Sequence, residues 1–257
     1  MLLKEIISII HQHYPPQLAS DWDNSGLILG NPDWNIQKVL LALDVTDQTM
    51  EEAIQNQVDC IITHHPFLMN VIKRVTTDTF YGHVILKASE HKIALFSSHT
   101  NMDVAPNGIN QKLSELFLLK NSISIEPHPL NDKAGLGQIG SIEETTLSEL
   151  CQKTKEILKT PFIRFCGDPQ QKINKVAIGS GSCSDLIPEA IALGADVIIT
   201  SDLKYHTCLD FSGKDFSIID AGHFPTEIIA VEMFEEILKD CPIEKMRSTQ
   251  TDVFMIG

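Results

Sequence analysis

Apolar positions along this chain follow two rhythms that alternate from one end to the other. Leu3, Ile6, Ile7 and Ile10 recur at helical spacing, so residues 2–13 read as an amphipathic helix stopped by Pro15-Pro16. Leu27-Ile28-Leu29 reads as a short strand and Val39 to Asp44 as a second, followed by a helix over 47–57 with Met50, Ala53 and Ile54 on one face. The run Asp59-Cys60-Ile61-Ile62-Thr63 predicts a buried strand, broken off by His64-His65-Pro66. A helix over 81–91, a strand over 93–97 and a helix over 107–119 continue the series. Residues 120–137, with Pro127, Pro129, Gly135 and Gly137, read as a linker, and Leu136 to Gly140 as an extra strand.

The series then begins again. A helix is expected over 146–158, strands over 162–165 and 176–179, and a helix over 185–193. A strand over 197–200, a helix over 203–211, a strand over 216–219 and a long helix over 225–239 complete it. Both halves thus read α-β-β-α-β-α-β-α, an α/β pattern whose strands are buried on both faces. Sliding the chain on itself by 137 positions places Lys38-Val39 on Lys175-Val176 and Glu52-Ala53-Ile54 on Glu189-Ala190-Ile191. It also places Asp59 and Ile61-Ile62-Thr63 on Asp196 and Ile198-Ile199-Thr200, nine identities over the 28 positions 38–65 without a gap. We read an internal duplication, residues 1–125 and 126–257, with two homologous sheets facing each other.

The halves diverge where chemistry would sit. His64 and His65 fall on Ser201 and Asp202, and one strand later His99-x-x-x-Asp103 has a counterpart in His223-x-x-x-Glu227. A histidine and a carboxylate four apart can converge on one ion, on a helix face or around a turn. A single histidine beside an apolar strand is ordinarily a hydrogen-bonded structural residue. Six donors at corresponding strand ends, where open α/β sheets bind ligands, outweigh that reading. For His64, His65, Asp103, His223 and Glu227 we expect a metal site, and imidazoles with carboxylates favour Zn, Mn, Fe or Ni. Five donors exceed what one tetrahedral ion needs, so two ions about 3.5 to 4 Å apart are expected, bridged by Asp103 or Glu227. His99 either orients Asp103 or binds substrate.

The segment Gly179-Ser180-Gly181-Ser182-Cys183-Ser184-Asp185 reads either as a tight turn with a serine cap or as an anion cradle at a helix start. Asp202, Lys204 and His206 are either surface residues or suppliers of a proton facing the metals. Trp22, Asn24 and Gly26 would wall a pocket or simply form a turn with a packed indole.

Composition narrows the classes. Hydrophobic residues make up 43% and charged residues 21%, and the formal net charge is −14. No basic residues form a run, which argues against nucleic acid as a partner. No segment approaches the roughly 20 apolar residues of a membrane span, and the N-terminal residues lack the apolar core of a signal peptide. The six cysteines are scattered singly, so free thiols and a cytoplasmic location are expected.

The segments Trp22-Asp23-Asn24-Ser25-Gly26-Leu27, Thr63-His64-His65-Pro66, Ser98 to Asp103, Gly179-Ser180-Gly181, Asp202 to His206 and Gly222 to Glu227 together resemble the YbgI-like, or Nif-three-like, dinuclear metal proteins. These are often labelled GTP cyclohydrolase 1 type 2, and the resemblance, to the short form of the family, runs nearly end to end. It implies two intertwined α-β-(β-α)3 repeats with mixed sheets and a metal site between them. It also implies a homohexameric ring of dimers with the metals facing an inner cavity. The family's metal ligands map onto His64, His65, Asp103, His223 and Glu227. The function expected is a dinuclear metal-dependent hydrolase of a nucleotide-like small molecule, of GTP cyclohydrolase type, with His99 and His206 as catalytic proton carriers. The alternative is a non-catalytic, ring-forming metal-binding scaffold.

Overall fold

Lys38–Ala42, Cys60–Thr63 and Ala94–Ser97 are apolar because they lie side by side in the middle of a sheet and are covered on both faces. The computed structural model of the protein describes residues 1–211 and 214–255. In chain order the strands are β1 (Gly26–Leu29), β2 (Lys38–Ala42), β3 (Cys60–Thr63), β4 (Ala94–Ser97), β5 (Lys120–His128), β6 (Asn131–Thr146), β7 (Arg164–Cys166), β8 (Lys172–Ile178), β9 (Val197–Thr200), β10 (Ser217–Asp220) and β11 (Glu244–Arg247). The helices are α1 (Leu3–His13), α2 (Asp47–Gln55), α3 (Phe80–Glu90), α4 (Thr100–Val104), α5 (Ile109–Leu116), α6 (Leu147–Leu158), α7 (Ile187–Ala192), α8 (Tyr205–Phe211), α9 (His223–Glu227) and α10 (Ile229–Ile237). Among the described residues no helix is long and apolar enough to cross a membrane.

By packing, the described residues form two units, one of residues 1–102 with 228–251 and one drawn from 103–227 with 252–255. The first holds a five-stranded mixed sheet, β1-β4-β3-β2-β11, and the second a six-stranded mixed sheet, β5-β6-β8-β9-β10-β7. Each sheet contains three consecutive parallel strands, β2-β3-β4 and β8-β9-β10, with one antiparallel strand, β1 or β7, beyond the third.

The duplication reaches the packing. Leu40, Met50, Ala53, Val58 and Ile61 belong to the core of the first unit. The residues 137 positions further on, Ala177, Ile187, Ala190, Ala195 and Ile198, belong to the core of the second. Asp59 Oδ2 accepts from the amides of Gln37 (2.7 Å) and Lys38 (3.0 Å), and Asp196 Oδ2 from those of Asn174 (2.7 Å) and Lys175 (2.8 Å). In each unit this carboxylate pins the start of the first parallel strand to the start of the second. Replacing Asp196 by Ala strands two amide donors and is expected to destabilise the protein by about 1–3 kcal/mol. Chemical denaturation checks this, and Asp196→Asn should recover part of the loss.

Three segments depart from the pattern-based reading. Residues 120–137 are not a linker: β5 and β6 form a long antiparallel pair at the edge of the second sheet. Their glycines are close-packing points rather than punctuation. A Cβ on Gly137, at φ +65°, would lie 2.6 Å from Leu186 Cδ1 and 2.9 Å from Ile125 Cδ1. The expected helix over 225–239 is two helices, α9 and α10. Thr226 Oγ1 donates back within α9, its acceptors being the carbonyls of Gly222 (2.9 Å) and His223 (2.8 Å). The chain passes from the second unit to the first at this break. Finally, β11 was not expected; Glu244-Lys245-Met246-Arg247 carries the charges of an edge strand, and Lys38 Nζ meets Glu244 at 2.8 Å.

Candidate metal centre

The site residues of the first unit stand where its parallel strands end together. Thr63 of β3 pairs with Ser97 of β4, so His64-His65 and Ser98-His99 leave the sheet at one level. The ring centroids of His64 and His65 are 5.0 Å apart, those of His64 and His99 5.2 Å, and those of His65 and His99 5.6 Å. One ring nitrogen from each of the three lies within 4.8 Å of the others. His64 is fully buried, and His65 and His99 are about one-fifth exposed, at 22% and 17% of their side chains.

Each of these rings is fixed from its Nδ1 side. His64 Nδ1 lies 3.0 Å from the Ser98 carbonyl, His65 Nδ1 2.7 Å from Asp44 Oδ1, and His99 Nδ1 2.8 Å from Asp23 Oδ1. Carbonyls and carboxylates only accept, so Nδ1 carries the proton and Nε2 presents its lone pair. Asp44 is itself held by Gln250, whose Oε1 accepts from the amides of Leu43 and Asp44 at 3.1 Å and whose Nε2 donates to Asp44 Oδ2 at 3.3 Å. Asp23 has a fully buried side chain and accepts from Ser25 Oγ (2.7 Å) and from Thr100 Oγ1 (2.6 Å) and N (3.1 Å). Burial alone would raise its pKa, but the bonds from His99, Thr100 and Ser25 outweigh it and hold the carboxyl well below the usual carboxylate range.

The second unit repeats the device on different loops. Thr200 of β9 pairs with Asp220 of β10, and the chain beyond them carries Asp202 and His223. His223 Nδ1 lies 2.7 Å from Asp202 Oδ2, and its Nε2 faces Glu227 Oε2 at 2.8 Å, one turn further along α9. Glu227 is buried, as is Asp103, and an oxygen of each lies within 4.8 Å of the other. Asp103 Oδ1 accepts from Ser180 Oγ at 3.2 Å, and Asn110 ties the Asp103 carbonyl (3.1 Å) to the Ser180 amide (2.9 Å). Two buried carboxylates this close repel unless a proton or a cation lies by them.

Gly181 makes room for this set. Its φ is +56°, and a Cβ there would fall 2.0 Å from Glu227 Oε1 and 3.0 Å from His223 Nε2. Of the two readings for the segment beginning at Gly179, the geometry supports a turn, which clears the side chains of Glu227 and His223; Cys183, at the helix N-cap, makes no side-chain capping bond. Cys183 packs beside it, donating from Sγ to the Ser180 carbonyl at 3.1 Å. Burial first, and then the Asp103 and Glu227 carboxylates, push this thiol up, so it stays protonated and leaves a nitrogen and oxygen donor set.

The sequence-predicted residues therefore cluster by unit: His64, His65 and His99 in the first, Asp103, His223 and Glu227 in the second. Such buried histidine and carboxylate groups can bind a metal ion, and the Nδ1-anchored imidazoles fit one. His206 stands apart. It lies on the exposed start of α8, edge-on to Tyr205 at 5.4 Å, outside every close group of donor atoms among the described residues. Asp23 and Asp44 are orienting residues that the sequence pattern does not single out: each lies far along the chain from its histidine, although Asp23 falls inside one of the segments that carry the family resemblance.

Comparison with known proteins shows the family. Residues 1–255 match the model of the family described as Duf34/NIF3 (NGG1p interacting factor 3). A protein of Clostridium acetobutylicum named "GTP cyclohydrolase 1 type 2 homolog" is 36% identical over 239 residues, 92% of this chain and 89% of the relative. One of the same name from Clostridium perfringens is 37% identical over 88% of this chain and 87% of its own. Among solved structures, a Bacillus cereus protein related to NIF3 superposes with a TM-score of 0.92 at 26% identity, over 100% of this chain and 99% of the other.

Proposed function

The chain belongs to the Duf34/NIF3 family, and from that premise and the donor chemistry just described we propose that it is a dinuclear metal-dependent hydrolase. Its substrate would be a nucleotide-like small molecule, in a reaction of the GTP cyclohydrolase type that the relatives' name states. The metal ligands in this reading are His64, His65, Asp103, His223 and Glu227, holding two divalent ions of Zn, Mn, Fe or Ni. The observation that carries it is that His64, His65 and His223 each set Nδ1 on an oxygen acceptor, which fixes the direction of the ring's other nitrogen, and that Nε2 of His223 lies against the Glu227 carboxylate. Glu227, with one neighbour in His223 and another in Asp103, would hold metal together with both.

Bound divalent ions would supply Lewis acidity and a lowered pKa for water at neutral pH. The protein's own groups do the rest. The buried surroundings of His64, Asp103 and Glu227 limit bulk water and strengthen each electrostatic contact. His99, its Nδ1 proton fixed on Asp23, can accept a proton at Nε2 from water or substrate, and Asp23 steadies the resulting cation. His206 is the second proton carrier in this reading. We place the reaction in the cytoplasm and in a hexameric ring of dimers, built from halves 1–125 and 126–257 of a duplicated chain.

The test is metal analysis of the purified protein, joined to an assay of GTP and related nucleotides with metal-loaded and chelator-stripped protein. Consumption by the loaded form alone is expected. Full metal occupancy with no turnover, and a change of particle mass on stripping, would instead identify a scaffold.

A further inference from the structure

Trp22 is 64% exposed, and nothing in the catalytic reading uses it. Its exposure is not the accident of a loose loop. Ser20 N donates to Thr100 Oγ1 at 3.0 Å, and Asp23 N to the Ser20 carbonyl at 2.9 Å, closing a backbone turn that contains Trp22. The Asp23 carboxylate is buried among its donors, and Asn24 Nδ2 reaches the Leu68 carbonyl at 2.5 Å, on the segment that follows His64-His65. Ser25 Oγ accepts from the His99 amide at 3.0 Å. Residues on both sides of Trp22 are thus fastened to α4 and to the loop after β3, while the indole itself is held out of the core. It meets His99 edge-on, with centroids 5.9 Å apart and planes at 77°. His99 in turn lies 5.2 Å from His64 and 5.6 Å from His65. The indole is one ring away from two of the residues assigned above to the metals.

A large apolar ring is stabilised by burial, so a rigid segment that keeps one in water beside a polar site needs a reason. We infer that the exposed indole of Trp22 is a stacking platform for a planar heteroaromatic ring of the substrate, holding that ring against His99 and beside the His64-His65 pair. This rests on the proposed metal-dependent reaction for its place in catalysis, but not for the stacking itself. Every nucleobase has a π face, so the platform selects for a flat ring rather than for one base. A sugar phosphate without a base has nothing to lay on it.

The chain has two tryptophans, so Trp34→Phe leaves Trp22 as the sole indole emitter. The full-length protein carrying that substitution is titrated with guanosine, adenosine and ribose 5-phosphate, both metal-loaded and chelator-stripped. Saturable quenching by the nucleosides, in both forms, and none by ribose 5-phosphate, is expected. In equilibrium dialysis Trp22→Ala should weaken nucleoside binding by about 5- to 100-fold and Trp22→Phe should restore most of it. Metal content should be the same in all three proteins. Absence of quenching by both nucleosides, or equal quenching by ribose 5-phosphate, overturns the inference. So does a Trp22→Ala protein that binds nucleoside normally but changes particle mass in sedimentation, since the indole would then belong to a contact between copies. A protein that holds no metal yet shows the nucleoside quench sinks the metal reading and leaves the platform standing.

Discussion

Replacing His64 and His65 together by alanine is expected to leave a folded protein that no longer holds metal and no longer turns over substrate. Both residues lie just beyond β3, whose own apolar positions carry the packing of the sheet, so the fold should survive even though His64 is buried against the Ser98 carbonyl. Loss of an orienting partner alone lowers metal affinity by about 10- to 100-fold, and loss of two direct donors should exceed the upper figure. Glu227→Ala, in the other unit, should have a comparable effect. On the proposed five-ligand reading the triple variant should be little worse than either, because donors to one centre would not act additively. Metal content by elemental analysis, far-ultraviolet circular dichroism and turnover form the measurement. A double variant with full metal and full activity would end the five-ligand assignment.

Gly181→Ala is the second large effect, and it removes no donor at all. The added methyl would sit 2.0 Å from Glu227 Oε1 and 2.9 Å from Glu227 Cδ, so the carboxylate must leave its place. Glu227 is 4% exposed on a short helix, with His223 close to its other oxygen, and has little room to retreat. We expect metal affinity to fall about 100-fold or more, read by competition with a chromophoric chelator. A left-handed alanine is itself strained by roughly 1–2 kcal/mol, and Gly194→Ala controls for that strain. Gly194 has φ +81°, but a Cβ there would meet only Lys175 Nζ, at 3.9 Å. Gly194→Ala should lose stability and keep its metal. Equal metal loss in both variants would mean that strain, not obstruction of Glu227, is responsible.

Much of this architecture is legible in the residue pattern because parallel strands covered on both faces leave uninterrupted apolar runs. Cys60-Ile61-Ile62 and Val197-Ile198-Ile199 are such runs, and the polar residues just past them mark where the sheet ends. What the pattern hides is pairing at the sheet margins. β11 carries charges because one side faces water, and β5 and β6 carry prolines and glycines that resemble those of a connector. The candidate site histidines of the first unit are visible as breaks in apolar runs. The carboxylates that fix them are not: Asp23 acts on a histidine 76 residues away and Asp44 on one 21 residues away. No local spacing connects such pairs, whereas His223 and Glu227 share a helical turn and can be read directly.

The slide by 137 positions has a consequence at Asp44, which falls on Gly181. In the first repeat the anchoring carboxylate follows the first parallel strand and its imidazole follows the second. In the other repeat the couple has advanced by one strand, to Asp202 and His223, and the vacated position carries the glycine that clears Glu227. The copies have become complementary rather than redundant. A chain spliced from two first halves would have its imidazoles doubled and no berth for the glutamate, and one spliced from two second halves would lack the adjacent pair; neither ancestor-like form could rebuild the present donor set.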